Sequence, residues 1–415
     1  MRCSLLLVLC LLMQTPLFLQ NRTPSPQSET VYLLKPARVF DGESSQLHDG
    51  WVVLVRGQKI EAAGPARTVN VPTNATIVDL PGLTLLPGLI EAHSHILLHP
   101  YSETPWNDQV AHESLSLRVA RATNHLRNTL QAGFTTIRDL GTEGAGYADV
   151  GLKQAVEQGI IPGPRMFVVT RAIVATGSYG PKGYASEWRV PQGAEEADGV
   201  DSLTRVVRDQ IGHGADWIKL YADYRWGTQG AAPTFSLEEL KLAVETARSA
   251  NVPVAAHATT TEGMRRAILA GVETIEHGDG GTPEIFRLMK EHNVALCPTL
   301  AIAGANAERK KAVFKAALEA GVTIASGSDV GVFAHGDNVR ELEAMVNFGM
   351  PVIDALRSAT SIDARVLHMA EKIGQVKPGL FADVIAVEGD PTRDISSLRH
   401  VKFVMKGGIV YRQDH

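Results

Sequence analysis

The residues best suited to chemistry are two histidines one position apart, His93 and His95. Alternate residues of a β-strand point to the same face, so both imidazoles can reach one metal ion if the segment is a strand. A His-x-His pair alone more often reflects packing than a site. This pair directly follows the apolar run Leu86-Pro-Gly-Leu-Ile-Glu-Ala92, at the end of a predicted buried strand, and that location favours a ligand role.

Two further histidines also end apolar runs. His257 ends Val254-Ala-Ala-His257, and His277 ends Thr274-Ile-Glu-His277. Each of them taken alone would more often be a core histidine with satisfied hydrogen bonds. Together with His93 and His95 they are better interpreted as metal ligands, since imidazole is the commonest metal ligand among side chains.

Lys219 lies in Trp217-Ile-Lys-Leu-Tyr221, and its neighbours are apolar. Burial lowers the pKa of a lysine and leaves part of it as the neutral amine. A neutral amine can react with carbon dioxide to give a carbamate, an anionic oxygen ligand able to bridge two cations. The alternative is a buried lysine paired with a carboxylate, and we would favour it if no metal cluster lay nearby.

A carboxylate and a thiol remain. Asp329 lies in Ser326-Gly-Ser-Asp-Val-Gly331, among small residues that leave room around it. A carboxylate there can bind a metal and exchange a proton with an attacking water. The alternative, that it caps the following turn, leaves the four histidines unexplained. Cys297 lies in an apolar run and is predicted to be a buried small hydrophobe, not a nucleophile.

The elements that must position these residues alternate between strand and helix patterns. Eight apolar, β-branched runs are typical of parallel strands buried on both faces. Eight units over about 250 residues predict a (β/α)8 TIM barrel, an α/β fold whose strand ends carry the active site. A doubly wound sheet is the alternative, but no glycine-rich phosphate loop follows the first strand. The candidate strands are 83–95, 134–140, 165–170, 216–221, 252–257, 273–277, 294–298 and 322–329.

Both ends of the chain instead carry short alternating runs separated by turn residues such as Asp41-Gly42. This pattern is typical of β-hairpins. We therefore expect a small β-sandwich-like domain built from residues 31–82 and 376–415, and a barrel of residues 83–375.

The N-terminus has the layout of a secretory signal peptide. Arg2 precedes the apolar run 5–13, and we expect residues 1–20 to be the leader and 21–30 a proline-rich linker. The protein would then be secreted or periplasmic. The alternative is a leader that is retained as a membrane anchor. No later segment is long and apolar enough to cross a bilayer.

Composition excludes some classes of partner. The net charge of the 415 residues is -5, which argues against a nucleic-acid partner. Cys3 and Cys10 lie in the predicted leader, so the mature chain would keep only Cys297 and no intramolecular disulfide. A small-molecule or dipeptide substrate is the expected partner, and a homo-oligomer stays open.

Taken together, these motifs resemble the amidohydrolase superfamily, in particular its dinuclear branch with Xaa-Pro dipeptidases and imidazolonepropionase-like enzymes. The tail motif Lys377-Pro-Gly-Leu-Phe-Ala-Asp-Val-Ile385 extends the match to nearly the whole mature chain. The other matching segments are Pro87-Gly-Leu-Ile-Glu-Ala-His-Ser-His95, Ile218-Lys219, Ala256-His257-Ala258, Ile275-Glu-His-Gly278 and Gly327-Ser-Asp-Val-Gly331.

The resemblance implies two divalent metal ions, of which Zn²⁺ is the expected one. N6-carboxylated Lys219 and a hydroxide would bridge the two ions. Asp329 would take the proton of that hydroxide during its attack and pass it to the leaving amine. One ion would be held by His93, His95 and Asp329, and the other by His257 and His277.

Two positions narrow the reaction. Mononuclear deaminases of the superfamily carry a glutamate where this chain has Thr260, so deamination is disfavoured. Lys219-Leu-Tyr221 resembles the Lys-x-Tyr of the dipeptidases, in which the tyrosine hydroxyl hydrogen-bonds the scissile carbonyl. The alternative is that Tyr221 only packs at the barrel mouth.

Two further residues are candidates for substrate binding. Tyr179 replaces the histidine of that branch's Thr-Gly-Gly-His-Gly motif, which helps hold the substrate carboxylate, and this departure puts dipeptide specificity in doubt. His99 opens the segment 99–106, which we expect to form a loop over the site. The aromatic residues of that loop either build an apolar pocket or pack on each other.

The sequence therefore predicts a metal-dependent amidohydrolase that cleaves an amide or peptide C–N bond. An exported dipeptidase acting on Xaa-Pro or other Xaa-Xaa substrates is the leading form. A cyclic amidase or lactonase on the same centre is the alternative. A non-catalytic binding scaffold is disfavoured because none of the six ligand candidates is missing.

Overall fold

The structure is a computed structural model that describes residues 30–226 and 229–414. The predicted leader, nearly all of the predicted linker, Cys3 and Cys10 lie outside the described residues. Within the described part, none of the helices combines the length and the apolar character that a membrane span requires.

Nineteen strands form within residues 30–226 and 229–414. They are β1 Val31–Val39, β2 His48–Asp49, β3 Trp51–Arg56, β4 Lys59–Pro65, β5 Thr76–Pro87, β6 Leu89–Ser94, β7 Phe134–Asp139, β8 Arg165–Val168, β9 Ile173–Val174, β10 Glu195–Glu196, β11 Ile218–Tyr221, β12 Asp223–Arg225, β13 Ala231–Pro233, β14 Val254–Ala258, β15 Thr274–His277, β16 Ala295–Cys297, β17 Val384–Glu388, β18 Val401–Lys406 and β19 Ile409–Gln413.

Helices alternate with the strands of the middle region, and several have clear end signals. Ser236 and Glu239 form a capping box at the start of α5, and Gly271 ends α6 in the left-handed conformation. The α-helices are α1 Trp106–His112, α2 Leu115–Gln131, α3 Ala148–Glu157, α4 Gly199–Gly212, α5 Leu237–Arg248, α6 Thr261–Ala270, α7 Pro283–Glu291, α8 Ala307–Ala320, α9 Val339–Asn347, α10 Val352–Arg357 and α11 Asp363–Val366.

The two ends of the chain meet in one sheet, here called the terminal sheet. Its strand order is β19-β18-β17-β5-β1-β3-β4, with β2 beside β1. β5 pairs in parallel with β1 and antiparallel with β17, and so joins the N-terminal strands to the C-terminal ones. The ladder is one continuous eight-stranded sheet, whereas the sequence predicted a sandwich-like domain.

The first predicted barrel strand, 83–95, is divided between two sheets. Residues up to Pro87 belong to β5 and pair with β17, while β6 starts at Leu89 and pairs with β7. The division falls at Gly88, where an added Cβ would collide with the side chain of Thr135. Periodicity could not locate this point, because both halves of the run are apolar and buried.

Parallel strands form the middle of the molecule, in a three-stranded sheet β6-β7-β8 and a six-stranded sheet β10-β9-β11-β14-β15-β16. The predicted single barrel ladder is therefore not closed in the part of the chain that the structure describes. The contacts that link the two sheets include a hydrogen bond from Asp216 N to Val168 O at 2.8 Å and single bridges that join Leu296 to Ile324 and Ser94 to Val330.

The eighth predicted strand, 322–329, is not a strand in the structure. Within it Ile324 forms a single bridge, to Leu296, and the last residue, Asp329, adopts a left-handed backbone with φ of 61°. The third predicted strand, 165–170, is shorter for a similar reason: it ends at Val168, and Thr170 has φ of 66°. Both interruptions face the region in which the candidate ligands gather.

One hydrophobic core joins the terminal sheet to the middle region. Ile385, Val387 and Val401 of the terminal sheet lie in the same buried cluster as Leu130 and Phe134 of the middle region. A second cluster, which contains Phe403 and Leu34, fills the other side of the terminal sheet. The strand ends that carry the site are thus supported by a continuous core.

Candidate metal centre and active site

The structure brings the six predicted ligand residues to one end of the parallel strands. His93 lies in β6, and Lys219, His257 and His277 lie in β11, β14 and β15. The ring centroids of His93 and His277 are 5.2 Å apart, and those of His257 and His277 are 4.6 Å apart.

His93, His95 and Asp329 form a compact set of donors. Nε2 of His93 lies 3.5 Å and Nε2 of His95 3.2 Å from Oδ1 of Asp329. One ligand atom from each residue falls within a group spanning at most 4.8 Å, which is the spacing of side chains that can share an ion. All three side chains are buried. The donor set of two imidazoles and a carboxylate therefore fits a divalent metal.

In three of the histidines, the ring nitrogen Nδ1 has a hydrogen-bond partner outside the centre. Nδ1 of His93 donates to Glu276 at 2.8 Å, and Nδ1 of His95 donates to the carbonyl oxygen of Gly141 at 2.9 Å. Nδ1 of His277 is hydrogen-bonded with Oγ1 of Thr299 at 2.8 Å. Such partners fix the ring orientation of metal-binding histidines and leave Nε2 directed at the centre.

Charges in the centre compensate one another. Burial acts to raise the pKa of Asp329, but His93, His95 and His277 outweigh it and hold that pKa well below its usual range. Burial acts to lower the pKa of His95, but the hydrogen bond and charge of Asp329 outweigh it and raise the pKa to about 9. The pKa of His93 falls to about 4, chiefly because the ring is buried and secondly because Lys219 is near.

Lys219 is buried, and burial lowers its pKa, although the charges of Glu276 and Asp329 act in the opposite direction. The alternative of a lysine in an ion pair finds no partner: no carboxylate oxygen in residues 30–226 and 229–414 lies within 4.0 Å of its Nζ. That Nζ lies 5.7 Å from the ring centroid of Tyr221. The side chain thus has the environment that a neutral, reactive amine requires.

Two buried glutamates support the centre, and neither was predicted from the sequence. Glu276 accepts from Arg138 at 3.0 Å as well as from His93. Glu91 accepts from the backbone N–H of His93 at 3.1 Å and from Oγ of Ser328 at 2.6 Å, and burial raises its pKa to about 7. Both residues belong to the motifs already noted, but only the tertiary contacts reveal their role.

A cavity of about 470 Å³ opens onto the centre and is lined by residues that include His95, His257, His277 and Asp329. Tyr221, a predicted substrate residue, also lines it and stacks on His257 with ring centroids 4.5 Å apart and planes 10° apart.

Tyr179 lines the same cavity, and its hydroxyl donates to Oε2 of Glu143 at 2.6 Å.

His99 does not line the cavity. Its ring is 2% exposed and lies between two carboxylates, with Nδ1 3.1 Å from Glu103 and Nε2 2.9 Å from Glu113. The side chain therefore holds the loop together and cannot turn to a substrate without losing both partners. Trp106, at the end of the same loop, instead reaches the cavity wall and donates to Glu143 at 2.9 Å.

Thr260 has a structural task. Its hydroxyl accepts from the N–H of Gly263 at the start of α6 and donates to Asp223 at 2.7 Å. It therefore cannot be the acid that a glutamate would supply there. Cys297 is fully buried, as predicted for a small hydrophobe, with Sγ 3.7 Å from the carbonyl oxygen of Gly327.

Several non-glycine residues around the centre have positive φ, a conformation that costs free energy for residues with a Cβ. The φ angles are 50° for Glu143, 71° for His277, 49° for Thr299 and 61° for Asp329. Such strain clusters at functional sites, where the surrounding contacts enforce it.

The α/β fold and the buried cluster of imidazole and carboxylate groups at the strand ends define the class of a hydrolase with a candidate metal centre. Residues 84–411 match the sequence model of the Amidohydrolase family, and the chain belongs to that family. It is a hydrolase acting on carbon–nitrogen bonds.

Three relatives illustrate the likeness. Ochratoxinase of Aspergillus niger is 31% identical over 374 residues, which cover 79% of this chain and 75% of the relative. A crystal structure of an Xaa-Pro dipeptidase with bound methionine in the active site is similar with a TM-score of 0.84 at 30% identity, covering 92% of this chain and 100% of the other. A prolidase complexed with N-methylphosphonate-L-proline has a TM-score of 0.83 at 28% identity, covering 93% of this chain and 100% of the other.

Proposed function

We propose that this chain is a dipeptidase that hydrolyses Xaa-Pro or other Xaa-Xaa dipeptides at a centre of two divalent metal ions, Zn²⁺ foremost. The observation that carries the proposal is the convergence of four histidines, Lys219 and Asp329 at one end of the parallel strands, where His95, His257, His277 and Asp329 line a cavity. The likeness to an Xaa-Pro dipeptidase and a prolidase supports the substrate class.

In this proposal His93, His95 and Asp329 would hold one cation and His257 and His277 the other, and Lys219, as its N6-carbamate, would supply an anionic oxygen ligand to the centre. When bound, the cations polarise the scissile carbonyl and supply hydroxide near neutral pH.

Three features of the chain itself complete the proposed mechanism. Asp329 accepts a proton at Oδ1 and returns it to the leaving amine, since its low pKa keeps it ionised before the attack. The hydroxyl of Tyr221, whose ring is packed against His257, hydrogen-bonds the scissile carbonyl. The buried side chains that line the cavity, among them Tyr179 and Tyr221, lower the local dielectric constant and strengthen these interactions.

Arg225 supports a substrate with a free carboxylate. It lines the cavity, and no hydrogen bond or ion pair engages its guanidinium within residues 30–226 and 229–414. A guanidinium matches a carboxylate in planar, bidentate geometry. In this proposal Arg225 takes the role that a histidine at position 179 would otherwise fill. Lys310, the other cation of the cavity, is already paired with Asp279 at 3.1 Å.

The proposal also includes the closed barrel. The segment 322–330 would be its eighth strand, between β16 and β6. Hydrogen bonds support this placement, because Ala92 N donates to Ser326 O and His95 N donates to Val330 O, each at 2.8 Å.

Metal content is the first test. Elemental analysis of protein purified without chelators should give about two equivalents of metal in the parent, sharply reduced in Lys219→Ala. Lys406→Ala is a matched control, because Lys406 is another largely buried lysine with a lowered pKa, in the terminal sheet. One equivalent or none, unchanged by Lys219→Ala, would rule out the bridged centre.

Substrate class is tested with a dipeptide library on the metal-loaded parent. Release of free amino acids from Xaa-Pro or other Xaa-Xaa dipeptides is the expected result. Hydrolysis of cyclic amides or lactones with none of dipeptides would favour the alternative that the sequence left open.

We also propose that the protein is exported, on the strength of the pattern at residues 1–20. N-terminal sequencing of protein recovered from the medium or periplasm should begin after that segment. A retained leader in the membrane fraction would instead support the anchor.

A further inference from the structure

Glu143 is a buried carboxylate in the wall of the catalytic cavity to which the proposed mechanism gives no task. Its side chain is 2% exposed, and it lines the same cavity as Asp329 and Tyr221. Its backbone has φ of 50°, which is a strained conformation for a residue other than glycine. The fold therefore holds this carboxylate in the cavity wall although the strained backbone of Glu143 costs free energy.

The two donors that hold Glu143 both bind the same oxygen. The hydroxyl of Tyr179 and Nε1 of Trp106 donate to Oε2, at 2.6 and 2.9 Å. Oε1 receives no hydrogen bond from residues 30–226 and 229–414. Both hydrogen-bond donors are neutral groups, so the oxygen without a hydrogen bond suits an ammonium group that arrives with the ligand.

Orientation of His95 does not explain Glu143. Oε1 lies 3.9 Å from Nδ1 of His95, which is a long ion pair and too far for a hydrogen bond. That Nδ1 already donates to the carbonyl oxygen of Gly141 at 2.9 Å.

Aromatic rings add to the fit for a cation. The ring of Tyr179 lies 5.0 Å from that of Tyr221 and 4.9 Å from that of Tyr224, between centroids, so the tyrosine that donates to Glu143 belongs to a cluster of three rings that line the cavity. Aromatic faces attract ammonium groups.

We propose that Glu143 binds the free ammonium group of the substrate's N-terminal residue. The inference rests on the proposed dipeptidase function and adds that the substrate carries a cationic amine beside the scissile carbonyl. The position of Glu143 suits this role, because His95 lies between Glu143 and Asp329, the proposed proton acceptor. In a dipeptide only one carbon separates the α-amine from the scissile carbonyl carbon. With Arg225 at the carboxylate, the cavity matches a dipeptide zwitterion, and Tyr179 acts as the residue that positions Glu143.

The test compares two substrates that differ only in the amine. Methionyl-proline carries the ammonium group, and 4-(methylsulfanyl)butanoyl-proline lacks it. In Glu143→Gln, which keeps the shape and a hydrogen-bond acceptor, kcat/KM for methionyl-proline should fall about 10- to 100-fold, mostly through KM. For the amine-free substrate it should change less than about 3-fold. Glu61→Gln, on the terminal sheet, is the control for the substitution itself.

A binding measurement provides a second readout. Calorimetry with methionine and with 4-(methylsulfanyl)butanoate should show that the parent prefers the amine-bearing ligand and that Glu143→Gln loses this preference. Equal losses on both substrates, or a parent that treats both ligands alike, would overturn the inference and leave the dipeptidase proposal intact. A parent that hydrolyses no dipeptide in the library would overturn both.

Discussion

Glu276 determines how His93 faces the centre. Burial acts to raise the pKa of Glu276, but Arg138 and His93 outweigh it and hold that pKa well below its usual range, so the carboxylate is ionised. Arg138 is itself fixed, because its guanidinium lies over the ring of Trp217 at 4.5 Å from the centroid. The ring of His93 is thus oriented by a row of buried groups that do not line the cavity at the centre.

Replacing Glu276 should therefore weaken metal binding without removing a ligand. We expect Glu276→Gln to lower zinc affinity about 10- to 100-fold, because a neutral amide binds Nδ1 of His93 less strongly. A zinc titration against a competing chelator measures this. Glu273→Gln is the matched control, since Glu273 precedes the same strand and pairs with His368 at the surface. Unchanged affinity in Glu276→Gln would contradict this role.

Gly327 packs against His93 and Cys297 and leaves no room for a side chain. A Cβ there would collide with Sγ of Cys297 and lie 2.7 Å from Cβ of His93. We expect Gly327→Ala to cost about 1–3 kcal/mol of stability and to reduce bound metal, because His93 must move.

Gly151→Ala is the control for Gly327→Ala. Gly151 lies in α3 with no atom near an added Cβ, so the substitution should stabilise by about 0.5–1 kcal/mol. Chemical denaturation of both variants, followed by elemental analysis, makes the comparison. A Gly327→Ala variant with unchanged stability and unchanged metal content would show that the site can accommodate an added methyl group.

The chemical role of a single residue was predictable only where both its type and its position at the end of an apolar run carried information. His93, His257 and His277 end apolar runs, and so the strand ends could be identified. Glu143 could not be found this way, because its importance depends on contacts with Trp106 and Tyr179 that are distant in the chain. His99 illustrates the reverse case: its neighbours in space are carboxylates that the sequence did not place there.

Helix α9 carries a buried carboxylate, Glu341, that contacts the segment after β16. Oε2 of this buried carboxylate accepts from Ala301 N at 2.6 Å, while Oε1 is buried without a partner in the described residues. Burial raises the pKa of Glu341 to about 8. Between its usual value and about 8 the folded protein keeps a proton that the unfolded chain has lost. Stability must fall as pH rises through that interval.

Glu341→Gln should remove this pH dependence. We expect a gain of a few kcal/mol at pH 8 and little change near pH 4.5, because the amide has no proton to lose. Urea denaturation at both pH values measures it. Glu343→Gln, two residues further on α9, is the control: Glu343 is partly exposed and paired with Arg399, so it should give no gain at pH 8. Equal pH dependence of the parent and Glu341→Gln would exclude this source.

At the level of elements, alternation of strands and helices was predictable, because apolar β-branched runs and amphipathic stretches have different periods. Boundaries were not. Gly88 divides one apolar run between two sheets, and a left-handed backbone at Asp329 ends the eighth predicted segment. Both depend on tertiary contacts with Thr135 and His93, and neither leaves a trace in hydrophobic periodicity.

The whole molecule is held together by the terminal sheet as much as by the middle region. Val401 and Ile385 lie in the main core, so loosening of the terminal sheet must loosen the support of β7 as well. We infer that the protein unfolds in one cooperative step.

Phe403→Ala tests this cooperativity. Phe403 is fully buried in the terminal sheet, and its loss should cost about 3–5 kcal/mol. Trp51 lies in the terminal sheet and Trp217 in the middle region, so tryptophan fluorescence reports on both. The unfolding transitions followed by fluorescence and by far-UV circular dichroism should therefore shift to the same lower denaturant concentration. Ile409→Ala, at a 60% exposed position of β19, should change little. Separate transitions for the two signals would show that the regions unfold independently.

The place of β17 beside β5 affects how the protein is made. β5 ends at Pro87, whereas β17 begins only at Val384. During synthesis the N–H and C=O groups along this edge of β5 therefore stay unpaired while nearly all of the remaining chain emerges. Such unpaired edges recruit strands of other molecules. A nascent chain of this topology is exposed to aggregation until its last residues leave the ribosome. Chaperones that hold it extended, or a translocation channel that threads it unfolded, would protect that edge until β17 arrives.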